Sequence, residues 1–138
     1  MDSLYRENIL EHYRQPHHHG TLAAPDVHVE VDNPLCGDRL SLDVQLADGT
    51  IADVAFTGRG CAISQASASL LTDEIKGKPI GDVVAFRADD VLDLLGIEIS
   101  PARLKCAMLS HDTLQHVLTE LGAEPPVTTA STAAEAGL

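Results

Sequence analysis

The sequence predicts a single domain in which one contiguous block of three β-strands is flanked by helices, one before it and several after. Three observations predict this. Hydrophobic periodicity is helical over residues 3–14, has a period of two between Val27 and Phe56, and returns to 3.6 beyond Gly60. A length of 138 residues suits one compact domain. Hydrophobic residues at 44% and charged residues at 22% are values of a folded globular chain, and aromatics at 3% leave the core to Leu, Ile, Val and Ala.

In chain order, Leu4, Tyr5, Ile9, Leu10 and Tyr13 recur among charged neighbours, with Asp2 or Ser3 available as a cap, so an amphipathic helix spans 3–14 and ends before Pro16. Pro16-His17-His18-His19-Gly20 has a breaker at each end and reads as a loop. Its three imidazoles have no cysteine or carboxylate beside them in the chain, and they read as solvated surface groups rather than a metal site. Val27, Val29 and Val31 then alternate with polar residues, as do Leu40, Leu42, Val44 and Leu46; a third strand, 51–56, follows the Asp48-Gly49 turn signal. The short connection 47–50 makes the second and third strands an antiparallel hairpin, and the first joins through the loop 33–38. His28, on the polar face, is expected to be solvated.

Beyond Gly58-Arg59-Gly60, Ile63, Ala66, Leu70, Leu71 and Ile75 form a helical stripe separated by small serines, and Gly77 and Pro79 end that helix. Two short helices follow at 80–86 and 89–95, the acids Asp89 and Asp90 suiting the positive end of the second. Pro101 opens the longest helix, whose stripe runs through Leu104, Ala107, Met108, His111, Leu114, Leu118 and Leu121. Residues 122–138 have almost nothing to bury and read as a disordered tail, leaving residues 1–121 as the domain.

Twenty-one acids against nine bases give a net charge of −12, which repels phosphate backbones and anionic lipid surfaces. Neither nucleic acid nor a membrane is an expected partner. No basic stretch precedes a long apolar run, and no window approaches the roughly 18 apolar residues of a spanning helix. A cytoplasmic protein with reduced thiols is the expectation, and three cysteines cannot all pair within one chain.

Each cysteine sits at a junction between elements: Cys36 in the loop between two strands, Cys61 after two glycines at a helix start, Cys106 in the first turns of the last helix. Their separations, 24 and 44 intervening residues, match no zinc ribbon or finger, so convergence would have to come from folding. Electrostatics are more informative. Four of the nine bases lie within three residues of a cysteine: Arg39, Arg59, Arg103 and Lys105. Cations and a helix N-terminus favour thiolate, the form that binds metals and carries sulfur. Buried structural cysteines are the competing reading, which a glycine-flanked loop cysteine with charged neighbours fits poorly. Asp38 is positioned to be a fourth ligand, since residues two apart in an extended segment project to one side; capping a turn or pairing with Arg39 is its alternative. Three thiolates and a carboxylate suit tetrahedral zinc, and they could also hold iron. His111 lies about 140° around the helix from Cys106, and His116 about 15 Å further along, so neither shares a site with it. A thiol enzyme acting alone would need a base, and the sequence places no histidine by Cys61 or Cys106; His12 or the triplet 17–19 would have to approach through the fold.

Leu4-Tyr5-Arg6-Glu7-Asn8-Ile9-Leu10-Glu11-His12-Tyr13, Asn33-Pro34-Leu35-Cys36-Gly37-Asp38, Gly58-Arg59-Gly60-Cys61-Ala62-Ile63-Ser64 and Arg103-Leu104-Lys105-Cys106-Ala107 together resemble the iron-sulfur cluster assembly scaffolds of the IscU/NifU type, nearest the SufU branch. The resemblance runs over roughly residues 3–121. It implies an α+β domain with a small three-stranded antiparallel sheet packed against helices, and Cys36, Asp38, Cys61 and Cys106 gathered at one exposed end. It implies a cysteine desulfurase that hands over sulfur as a persulfide, and recipient iron-sulfur proteins or carriers. In scaffold members these ligands build a [2Fe-2S] cluster; in SufU-like members they hold zinc, and the cysteine matching Cys36 is freed to accept sulfur. Zinc is the expected occupant of the isolated protein, with iron or the cluster as the alternative. Two features pull apart: Lys105 stands where IscU-type scaffolds place a histidine, and a protonated lysine cannot ligate, whereas SufU-like members carry an extra segment before the third cysteine that the 44-residue spacing lacks. Arg59 and Lys105 are candidates for electrostatic help to the attacking sulfur. The implied role is a scaffold or sulfur acceptor rather than a stand-alone enzyme, and a structural zinc module without sulfur transfer is the alternative.

Overall fold

The computed structural model describes residues 2–33 and 37–122, the side chains of Asp2, Ser3 and Tyr5 excepted. The order is α1 (Asp2–Arg14), β1 (Val27–Asn33), β2 (Asp38–Ala47), β3 (Thr50–Arg59), α2 (Ala62–Ile75), α3 (Ile80–Val84), α4 (Ala88–Leu95) and α5 (Pro101–Glu120). This is the predicted sequence of elements. The expected cap at Asp2 or Ser3, and the tail from residue 123 on, lie outside the described residues.

The three strands form one antiparallel sheet in the order β1-β2-β3. Asp48 and Gly49 both have positive φ, 55° and 76°, the backbone that a tight two-residue hairpin turn demands. Leu40, Leu42 and Val44 of β2 and Ile51, Val54 and Phe56 of β3 are buried. The middle of β3 is buried at Ala55 too. Its free edge is covered there: Gly20 N–H donates to Phe56 O at 2.8 Å and Phe56 N–H to His18 O at 2.9 Å. The histidine loop is therefore pinned to the sheet.

Helices α2 and α5 pack against each other and against the sheet. Ala66, Ser67, Ala68 and Ser69 of α2 are all buried, because small side chains let neighbouring helices approach from several directions. Their hydroxyls are satisfied: Ser67 Oγ donates to Ala107 O at 2.8 Å and lies 2.6 Å from Ser110 Oγ. The buried face of α5 keeps Ala107, Leu114 and Leu118 of the predicted stripe but departs from it elsewhere. Leu104 is exposed and Met108 and His111 are half-buried, whereas Ser110, Thr113 and Val117 are fully buried. The chosen face is the one whose smaller residues fit against α2. In α1, Ile9 and His12 are buried while Leu4 and Tyr13 are exposed, so only part of its apolar stripe packs.

α4 begins as its acids predict, with Asp90 Oδ2 accepting from the Arg87 N–H at 2.8 Å, and ends at Gly96 in the left-handed region. His28 is not merely solvated. Its Nδ1 bonds to Asp43 Oδ1, and Asp43, nominally on the polar face, is buried because His28 and the Leu22 N–H (3.0 Å to Oδ2) close over it. Among the described residues no helix is long and apolar enough to cross a membrane.

Candidate metal centre

The start of β2, the end of β3 and the starts of α2 and α5 meet at one end of the sheet. Gly37 makes the turn into β2 with φ +74°, a conformation glycine adopts without strain, and its N–H donates to Asn33 O at 2.8 Å. Asp38 opens β2 opposite Asn33, and Arg39 lies opposite Arg59 at the end of β3. The chain then passes Gly60 and reaches Cys61, the N-cap residue of α2. Gly60 runs so close to Asp38 that a Cβ there would stand 2.5 Å from Asp38 Cγ and 2.6 Å from Ser64 Oγ. Ser64 Oγ in turn donates to Cys61 O at 3.0 Å, tightening the first turn. Cys106, within the second turn of α5, is buried.

These elements bring a carboxylate oxygen of Asp38 and the Sγ atoms of Cys61 and Cys106 within 4.8 Å of one another. Cys36, two residues before Asp38, lies outside the described residues. Asp38 is 6% exposed, and its Oδ2 has no hydrogen-bond partner among the described residues. A buried polar atom left this way costs on the order of 1–3 kcal/mol, and more if charged. A bound cation would remove that cost. The donor set fits one, because thiolates with a carboxylate suit zinc or iron. The N-terminal end of α2 adds a positive partial charge beside Cys61, which favours an anionic ligand there.

The bases separate. Arg39 Nε donates to Asp32 Oδ1 at 2.7 Å, and this hydrogen bond, followed by the charge of Asp32, holds the guanidinium above its usual range. Arg39 thus serves Asp32 rather than Asp38. Arg59, Arg103 and Lys105 are exposed and form no ion pair among the described residues. His111 Nε2 faces Phe86 O at 3.4 Å. His12, His17 and His18 engage Ser69 and Asp73 of α2, about 12 and 18 Å along the helix from Cys61 at 1.5 Å per residue. None of them stands by a cysteine. In the sequence, Gly60 is marked only by its place directly before Cys61.

Fold and site together define a class: a small α+β domain with a thiol and carboxylate cluster where one end of its sheet meets two helix starts. The chain belongs to the NifU-like N-terminal domain family, which it matches over residues 4–125. It is similar to the zinc-dependent sulfurtransferase SufU of Bacillus subtilis, at 39% identity over 83% of this chain and 89% of that one. It is also similar to the iron-sulfur cluster assembly scaffold protein IscU of Streptococcus pyogenes, at 32% identity over 86% and 84%. The crystal structure of the N-terminal part of a nitrogen-fixing NifU-like protein from Brucella abortus matches with a TM-score of 0.74 over 88% of this chain and 96% of that one; at 22% identity this bears on the fold alone.

Proposed function

We propose that this protein accepts persulfide sulfur from a cysteine desulfurase for iron-sulfur cluster assembly, at a site formed by Cys36, Asp38, Cys61 and Cys106. The orphaned, buried Asp38 Oδ2 beside two thiols is the observation that carries the reading, because it is a cation-binding feature at the only cluster of cysteine ligands among the described residues. Similarity to a zinc-dependent sulfurtransferase favours zinc as the ion of the isolated protein, where it would fix the ligands and keep the thiols as thiolates. In the transfer, the Cys36 thiolate attacks the outer sulfur of the partner's persulfide; a new S–S bond forms, the partner's S–S bond breaks, and the partner leaves as a thiolate. Exposed Arg59 and Lys105 stabilise that exchange of negative charge.

A second reading is that the same residues scaffold a nascent [2Fe-2S] cluster, which similarity to IscU supports. The single hard oxygen donor would then be the labile position from which a cluster is released. We further place the protein in the cytoplasm, with residues 1–121 as its working unit, residues 122–138 as a tail, and recipient iron-sulfur proteins downstream.

Metal content and stimulation of a desulfurase, measured on Cys36→Ser and Asp38→Ala, test the proposal. Cys36→Ser is expected to abolish stimulation while Asp38→Ala loses metal. Unchanged stimulation in Cys36→Ser would overturn its acceptor role, and less than one equivalent of any metal after reconstitution would overturn the four-ligand site. An absorption spectrum after anaerobic reconstitution with iron and sulfide separates the two readings.

A further inference from the structure

A second cluster of ligating side chains lies on the other half of α2. The loop histidines, which read as solvated in the sequence for want of a neighbouring carboxylate, meet one from a distant part of the chain. His17 Nδ1 lies 2.6 Å from Asp73 Oδ2, and His18 Nε2 lies 2.9 Å from Asp73 Oδ1. His12, buried in α1, faces the same place, its ring centroid 4.3 Å from that of His17. Ligand atoms of His12, His17 and Asp73 all fall within 4.8 Å of one another.

The cluster is built rather than accidental. Ser69 Oγ, fully buried, lies 2.6 Å from His12 Nδ1 and accepts the His17 backbone N–H at 2.7 Å. By engaging Nδ1 it fixes the imidazole orientation and leaves Nε2 as the ligating nitrogen, the usual arrangement behind a metal-bound histidine. His18 sits at φ +57°, uncommon for a residue with a side chain, while its carbonyl oxygen accepts the Phe56 N–H at 2.9 Å. The strained backbone is thus held by the sheet, and it turns adjacent histidines onto one carboxylate.

We infer that His12, His17 and Asp73 form a second site, for a divalent ion of the zinc, cobalt or nickel type, separate from the cysteine centre. Two imidazoles and a carboxylate are a known donor set for such ions, with water completing the shell. The ion would take the place of the proton between His17 Nδ1 and Asp73 Oδ2; a neutral His17 would keep that proton on Nε2, and an imidazolium would lose it to solvent. Both side chains are partly exposed, 47% and 39%, and free to open around it. His18 would stay on Asp73 Oδ1 and orient the carboxylate. Bound there, the ion would join α1 and its loop to α2.

The test is an anaerobic titration of the full-length reduced protein with Co2+, followed by absorption. The cysteine centre would give intense sulfur-to-cobalt charge transfer in the near ultraviolet; the histidine site would give weaker visible d–d bands without it. We expect both classes. Asp73→Asn and His17→Gln should each weaken the second at least tenfold, with the sulfur band and the far-ultraviolet dichroism unchanged. His19→Gln should alter it less than twofold, since that ring packs instead on Phe56. Absence of the second class overturns the inference, as does a second class of undiminished affinity in Asp73→Asn, which would mean binding by the exposed histidines alone. A nitrogen and oxygen class without a sulfur class would support this site and count against the cysteine centre.

Discussion

Asp38 and Gly60 work as a pair. The carboxylate is buried with one oxygen unsatisfied among the described residues, and the backbone that covers it has room for hydrogen only. Gly60→Ala should therefore push Asp38 out of position, costing about 1–3 kcal/mol as overpacking does and lowering bound metal at the same time. Thermal unfolding together with metal stoichiometry checks this, and a variant of normal metal content and stability would contradict the close approach. Lys105 is exposed and in no ion pair among the described residues, so Lys105→Gln is expected to keep the metal and slow sulfur transfer a few-fold, read from desulfurase turnover. The residue scale also shows where sequence reading stops. His28, Asp43 and the loop histidines look alike as polar surface positions in the chain. Only their distant partners distinguish them: Leu22 for Asp43, Ser69 and Asp73 for His12, His17 and His18.

At the scale of elements, α2 organises the molecule. It presents Cys61 at its N-cap, Ser67 to α5, and Ser69 and Asp73 to the N-terminal loop. The α2–α5 contact sets the relation between Cys61 and Cys106, and its polar link is the Ser67–Ser110 pair with Ala107 O. Ser67→Ala should destabilise the fold by about 1–2 kcal/mol, since it strands the Ser110 hydroxyl in a dry interface. The double variant Ser67→Ala/Ser110→Ala should cost less than the sum of the two single changes, because removing both partners leaves nothing unsatisfied. Chemical denaturation of the three variants measures the coupling, and strict additivity would show that the hydroxyls act separately. Helix periodicity placed α2 and α5 along the chain to within a residue or two. On α5 it finds Ala107, Leu114 and Leu118 of the buried face but not Ser110 and Thr113, small hydroxyl residues that pack between helices once bonded, and it takes in Leu104, which is exposed.

For the whole molecule, the apolar cluster running through Leu42, Phe56, Leu71, Leu95, Leu114 and Leu118 is continuous, and none of its members belongs to the cysteine centre. Removing metal with a chelator should thus leave most helical ellipticity intact, whereas a zinc-dependent structural module would unfold. Circular dichroism with and without chelator decides it. The surface remains strongly acidic, with a net charge of −12, yet exposed Arg59, Arg103 and Lys105 carry positive charge to the residues flanking the thiols. Sequence alone determined the order and limits of nearly every element, since periods of 2.0 and 3.6 and the glycine and proline punctuation are local properties of the chain. It also determined the family, through four short motifs in order. The family resemblance implied that Asp38 meets Cys61 and Cys106, and tertiary structure supplied the contact itself; tertiary structure alone decided that Arg39 serves Asp32 and that a histidine loop meets Asp73. Those are contacts between residues 7 to 68 positions apart: the Asp32–Arg39 pair follows from the register of β1 on β2, and the others from how the helices stack on the sheet.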